Sequence, residues 1–113
     1  MRLVLADNDQ DALDLIDLDL RLEGHDILGL AMDGVAAVEL CAVHRPDVLV
    51  VDYRMPPGLN GVEVARQVLA AGTAGRVVLY SNYNEHDVID EARRVGARWV
   101  GKGNLARLRD ALT

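Results

Sequence analysis

The sequence has 113 residues, half of them hydrophobic and 27% charged, which is the size and balance of one ordinary domain over residues 1–113 and excludes a disordered chain. Acids outnumber bases by 18 to 12, for a net charge of −6, and this acidic balance disfavours a surface that tracks nucleic-acid phosphates. The longest apolar runs, Val48 to Val51 and Val77 to Tyr80, are far too short to cross a bilayer.

Apolar runs and amphipathic stretches alternate along the chain. Leu3-Val4-Leu5 is a short unbroken apolar run of the kind found in strands buried on both faces. Asp11 to Leu22 reads as a helix that Asp11 can cap, with Asp14 in its first turn and Leu13, Ile16 and Leu20 on one face. Asp17 and Arg21 are spaced as an i,i+4 ion pair. Asp26 to Ala31 is a second strand, and Asp33 caps a helix running to about Val43. Val48 to Val51 is the third strand. Asn60 and Glu63 then have capping-box spacing ahead of Val64, Ala65, Val68 and Leu69. Gly72 and Gly75 punctuate the end of that helix. Val77 to Tyr80 is the fourth strand, Asn84 caps a helix carrying Val88, Ile89, Ala92 and Val95, and Gly96 ends it. Trp99-Val100 is a short fifth strand, and Leu105 to Leu112 is the last helix.

Five strands alternating with five helices predict an α/β fold. The expected form is a flavodoxin-like doubly wound parallel sheet of order 2-1-3-4-5, with helices on both faces. Sites in such sheets lie just beyond the carboxyl ends of the strands. The residues that end the apolar runs are Asp7, Asn8 and Asp9, then Asp52, then Ser81, then Lys102. Folding gathers carboxylates, a hydroxyl and an ammonium at one sheet edge. Two adjacent carboxylates repel unless a cation stands between them. Oxygen donors without His or Cys suit a hard cation, Mg²⁺ above all. A hydroxyl and an ammonium nearby can neutralise phosphoryl oxygens, and a central carboxylate can itself attack phosphorus. His25, His44 and His86 are too scattered for a zinc site. The lone Cys41 cannot form an internal disulfide, and no secretion signal opens the chain, so a cytoplasmic location is expected.

The strings LVLADND, PDVLVVDYRMPPGLNG, VVLYSN and GARWVGKG, in that order and spacing, make the chain resemble the receiver domain of bacterial two-component response regulators. The resemblance covers essentially the whole sequence. It implies phosphorelay signalling without enzymatic turnover, with Asp52 accepting a phosphoryl group from a sensor histidine kinase. It implies a Mg²⁺ site built from Asp7, Asn8, Asp52 and the main-chain carbonyl of Arg54. Ser81 resembles the hydroxyl that binds the phosphoryl group and shifts on activation, Lys102 the lysine that pairs with it, and Trp99 the aromatic switch. The face from Glu85 to Arg109 is where such domains report their state or form a homodimer. The Arg54-Met55-Pro56-Pro57 stretch has one residue more before Gly61 than the commonest spacing, and such loops are most like those of receivers found ahead of helix-turn-helix domains that regulate transcription. With no output domain in this sequence, the expectation is a stand-alone receiver that acts on a partner protein or a fragment separated from its output domain.

At five positions the sequence departs from the family or carries bulk where the family tunes its chemistry. Asn8 stands where a second acid is usual, which removes a charge from the metal site. Asn82 follows Ser81 where Ala or Gly is usual, and narrows access to Asp52. Arg54 and Tyr83 are bulky at two positions that tune phosphoryl lifetime, which predicts slow self-dephosphorylation. Gly103 follows Lys102 in place of a cis proline, which leaves the loop after strand five freer to move.

Asn8 and Asn82 also fit an alternative, a phosphate-independent receiver acting as a binding or dimerisation module. A third reading is a haloacid-dehalogenase-like phosphohydrolase using Asp7 and Asp9, although it leaves the Asp52 string unexplained. Blander roles are expected elsewhere. Asp9 reads as a helix N-terminal charge, Cys41 as a small packed residue, and Asp11, Asp14, Asp17 and Asp19 as a solvated helix face. Arg93, Arg94, Arg98, Arg107 and Arg109 read as a solvated basic patch.

Overall fold

The computed structural model describes residues 1–82 and 86–113, with His86 placed by its backbone. The elements, in chain order, are β1 (Arg2–Ala6), α1 (Gln10–Leu22), β2 (Asp26–Ala31), α2 (Gly34–His44), β3 (Val48–Val51), α3 (Gly61–Ala71), β4 (Arg76–Ser81), α4 (His86–Arg94), β5 (Arg98–Gly101) and α5 (Leu105–Ala111). The sheet is parallel, with the expected order β2-β1-β3-β4-β5.

Strands buried on both faces sort their side chains by alternation. Val4, Ala6, Leu49, Val51, Val77 and Leu79 pack under α2, α3 and α4, where Ala37, Cys41, Val64, Val68, Val88 and Ala92 meet them. Leu3, Leu5, Val48, Val50, Val78, Tyr80 and Val100 face the opposite way, onto Leu13, Ile16 and Leu20 of α1 and Leu108, Ala111 and Leu112 of α5. Burial pushes the Cys41 thiol up to about 11.

The helix starts come from side-chain caps. Asn60 and Glu63 close the expected capping box on α3, with bonds of 2.9 and 3.2 Å, and Asp33 caps α2 at 2.8 Å. The cap of α1 is Asp9 rather than Asp11. Asp9 has the extended backbone a cap needs and accepts the N–H groups of Asp11 and Ala12, while Asp11 lies inside the first turn. The Asn84 cap and Tyr83 lie outside the described residues. Gly72 ends α3 in the left-handed region at φ 67°. The fourth and fifth strands each run one residue beyond the expected run at both ends, because the parallel ladder continues through Ser81 and Gly101.

Two surface expectations need correction. Asp17 does pair with Arg21 at 2.7 Å, but Asp19 is not part of a solvated face. Asp19 receives the Arg109 guanidinium from α5, through Nε at 3.1 Å and through a second, shorter contact from Nη2. Glu23 adds a longer ion pair to Arg109 at 3.5 Å. Arg109 therefore bridges α5 to α1, and does not belong to a free basic patch.

Candidate functional site at the carboxyl edge of the sheet

The register brings the site residues together. Ala6 pairs with Val51 at the last rung between β1 and β3, so Asp7 and Asp52 emerge side by side. The ladder extends one bond further on each strand: Asp7 donates its N–H to Ala31 at 3.0 Å, and Asp52 donates to Ala6 at 3.0 Å. Ser81 pairs with Gly101, and the Lys102 N–H donates to the Ser81 carbonyl at 3.0 Å. Lys102 thus leaves β5 beside Ser81.

The Lys102 ammonium spans the two acids. Nζ stands 2.6 Å from Oδ2 of Asp7 and 3.3 Å from Oδ2 of Asp52. The other carboxylate oxygens accept main-chain donors: Oδ1 of Asp7 takes the Asp9 N–H at 2.9 Å, and Oδ1 of Asp52 takes the Tyr53 N–H at 2.8 Å. Asp7 is 1% exposed, Asp52 7% and Ser81 0%. Asn8 and Arg54 lie exposed at the rim.

Burying two like charges at the end of a sheet is costly, and the titration of the group reflects it. Burial and then the Asp7 charge hold the Asp52 carboxyl above the ordinary range, against the pull of Lys102 and the Tyr53 N–H. Burial works to lower the Lys102 pKa, but the hydrogen bond to Asp7 and the charges of Asp52 and Asp7 outweigh it and raise it.

Gly61 is a site residue whose reason was not apparent beforehand. Its N–H donates to the Tyr53 carbonyl at 2.7 Å, which draws the start of α3 under Asp52. A Cβ on Gly61 would stand 2.1 Å from the Asp52 carbonyl oxygen. Only glycine admits that approach. Met55, buried in the same turn, packs into the α2–α4 core. The loop after β5 is tied as well: the Gly103 N–H donates to the Tyr80 hydroxyl at 3.3 Å. Tyr80 was legible only as the end of an apolar run.

Trp99 is half-buried, packed against the α2–α4 core, and its ring lies close enough over Gly101 that a Cβ there would meet it at 3.1 Å. Gly101 is the cross-strand partner of Ser81, so the indole overlies the residue that pairs with Ser81. Asp9 is committed to capping α1, which takes it away from the acid role that a dehalogenase-like reading requires. Among the described residues, no group of three or more His, Cys, Asp or Glu side chains gathers as a metal site. The acid pair is Asp7 with Asp52.

A doubly wound sheet whose carboxyl edge opposes two buried acids to one lysine defines a flavodoxin-like α/β protein. The chain belongs to the response regulator receiver domain family, whose pattern matches residues 3–110. It is similar to the transcriptional regulatory protein PdtaR of Mycobacterium tuberculosis, 38% identical over 85 residues, which are 75% of this chain and 40% of that protein. It is similar to the probable transcriptional regulatory protein NarL of the same organism, 42% identical over 71 residues, 63% of this chain and 32% of that one. The chain therefore spans less than half the length of these curated relatives. The solved receiver domain of M. tuberculosis NarL superposes with a TM-score of 0.88 at 32% identity, covering 97% of this chain and 94% of that one. Receiver domains are typically signalling modules without enzymatic turnover. These matches favour neither the phosphate-independent module nor the phosphohydrolase. No described helix is long and apolar enough to cross a membrane.

Proposed function

We propose that this receiver acts in the cytoplasm, where it takes a phosphoryl group onto Asp52 from a sensor histidine kinase and reports it to an output domain or partner protein, without turning over a substrate of its own. The carrying observation is the Lys102 ammonium shared between Asp7 and Asp52 at 2.6 and 3.3 Å. A carboxylate oxygen of Asp52 attacks phosphorus, the P–O bond forms, the bond from phosphorus to the kinase histidine nitrogen breaks, and the imidazole leaves with the electron pair. In this reading the Lys102 ammonium offsets the charge of the phosphoryl oxygens and the Ser81 hydroxyl donates a hydrogen bond to one of them.

The donors fit Mg²⁺. Asp7, Asp52, the Asn8 amide oxygen and the Arg54 main-chain carbonyl are all oxygen donors, and the cost of burying Asp52 beside the Asp7 charge, which raises its pKa, is one that a dication would offset. When bound, Mg²⁺ would supply charge to offset both the carboxylates and the incoming phosphoryl oxygens. With Asn8 in place of an acid, that site carries one negative charge fewer, and weaker metal affinity follows.

Phosphorylation biases a two-state equilibrium. Ser81 and Trp99 read that bias in this proposal, which is supported by the indole overlying Gly101, the cross-strand partner of Ser81. The described part of the expected face, from Asp87 to Arg109, carries the output through contact with a partner or a second copy, while Glu85 lies outside the described residues. The names of PdtaR and NarL support a role in transcription regulation.

The test is incubation with acetyl phosphate and Mg²⁺, followed by intact mass and Trp99 fluorescence. One phosphoryl adduct in the wild type and none in Asp52→Ala is the expected result. An unmodified wild type, or an adduct that persists in Asp52→Ala, overturns the reading.

A further inference from the structure

We infer that Tyr80 is a positioning residue for phosphoryl transfer, acting through Gly103 to hold Lys102 over the acid pair; the inference rests on the phosphoryl-acceptor reading above. Tyr80 is 5% exposed and faces the α1–α5 side of the sheet, packed with Val78, Val100 and Leu108. A phenylalanine would fill that core equally well. What the phenol adds is an oxygen, and Gly103 donates its N–H to it at 3.3 Å.

The location gives this bond leverage. Gly103 follows Lys102 directly and sits at φ +91°, a conformation that L side chains rarely adopt. On its other side, Lys102 is fixed by its own N–H to the Ser81 carbonyl at 3.0 Å. The peptide units flanking Lys102 are thus pinned to two consecutive residues of β4, Tyr80 and Ser81. Side-chain aim follows from backbone aim. A lysine that must meet one oxygen at 2.6 Å and another at 3.3 Å tolerates little drift in its own Cα.

The anchor also depends on the residue after the lysine having an N–H. A proline there has none, so a hydroxyl at position 80 would have nothing to accept from that residue. Tyr80 and Gly103 therefore work as a pair, and a hydrogen bond does the work that ring rigidity would do. Beside them, Tyr80, Lys102, Gly103 and Leu105 line one wall of a cavity of about 200 Å³. Loss of the anchor leaves the loop room to shift.

The test is Tyr80→Phe in the intact chain, read two ways. Amide hydrogen exchange is expected to rise about tenfold or more at Gly103, with the β4 and β5 ladder amides unchanged. Phosphorylation by acetyl phosphate with Mg²⁺ is expected to slow about fivefold at saturating donor, the factor carried by one hydrogen bond of ordinary net strength. The half-saturating donor concentration is expected to stay the same, since the loss is of alignment and not of binding. An unchanged Gly103 exchange rate, or a saturating rate within twofold of wild type, overturns the inference. The wild type runs in parallel. No adduct on it overturns the acceptor reading itself, whereas a normal wild type beside a normal Tyr80→Phe overturns the positioning role alone.

Discussion

Gly61 lies so close under Asp52 that a Cβ built on it would stand 2.1 Å from the Asp52 carbonyl oxygen and 2.6 Å from a methyl of Leu79. The first neighbour is backbone and cannot swing away. Gly61→Ala must therefore push the start of α3 off the end of β3. We expect a loss of about 3 kcal/mol in urea denaturation, at the upper end of overpacking costs. The phosphorylation rate should fall with it, because the displaced backbone carries Asp52. A stability within about 0.5 kcal/mol of wild type, the range of neutral surface changes, would show that the helix start adapts.

The Asp52 carboxyl is held above the ordinary range, by burial first and by the Asp7 charge second, with Lys102 pulling the other way. The sign follows from linkage. An acid whose folded pKa is raised contributes stability that is full below its unfolded pKa, near 4, and is lost as pH rises through the folded value. Asp52→Asn keeps the shape and removes the titration. Without divalent cations, Asp52→Asn should be more stable than wild type at pH 7, and the difference should shrink as pH falls toward 4. Urea midpoints across that range, in chelator, check both halves. A wild type that is the more stable of the two at pH 7 would mean that the Lys102 attraction outweighs burial and repulsion.

The parts legible in the sequence are those encoded by unbroken local runs. Val48 to Val51 and Val77 to Tyr80 announce buried strands, and Asp52, Ser81 and Lys102 are conspicuous because each ends or closely follows such a run. Asp7 is legible on the same ground. The choice of Asp9 over Asp11 as the cap of α1 was not legible, since either aspartate can cap and only the extended backbone at Asp9 decides. The Asp19 to Arg109 contact joins residues 90 apart in the chain, and no local pattern reports it. Tyr80 reads as one more apolar residue until the fold brings Gly103 to its hydroxyl. Gly61 closes a recognisable string, but its reason is a close approach between backbones, which spacing does not reveal.

Arg109 ties α5 to α1 through Asp19, with Glu23 in support. Alpha-5 is short, Leu105–Ala111, and gains little from its own ladder. The contact is at the surface, so its removal should register as local opening more than as a drop in global stability. Arg109→Ala is expected to speed amide exchange in α5 while the amides of β1 and β3 keep their protection, and high salt should shrink the difference. Uniformly faster exchange throughout the sheet would instead make Arg109 part of the global fold.

Lys102 is the only lysine among the 12 bases, and its single nitrogen meets carboxylates of two different strands at 2.6 and 3.3 Å while its side chain is 14% exposed. An ammonium concentrates its charge at one point. A guanidinium spreads it over a planar fork that suits one carboxylate held bidentately. Arginine at this position should engage Asp7 or Asp52 with good geometry, but not both, and should reach any phosphoryl oxygen from a different angle. With beryllofluoride and Mg²⁺, Lys102→Arg is expected to bind the phosphoryl mimic and yet give less than half the wild-type change in Trp99 fluorescence. The charge would then be present without the placement that draws Ser81, the cross-strand partner of the Gly101 that lies under the indole. A full fluorescence response would show that positive charge alone drives the change, and that the compact shape of the ammonium is not what the site requires.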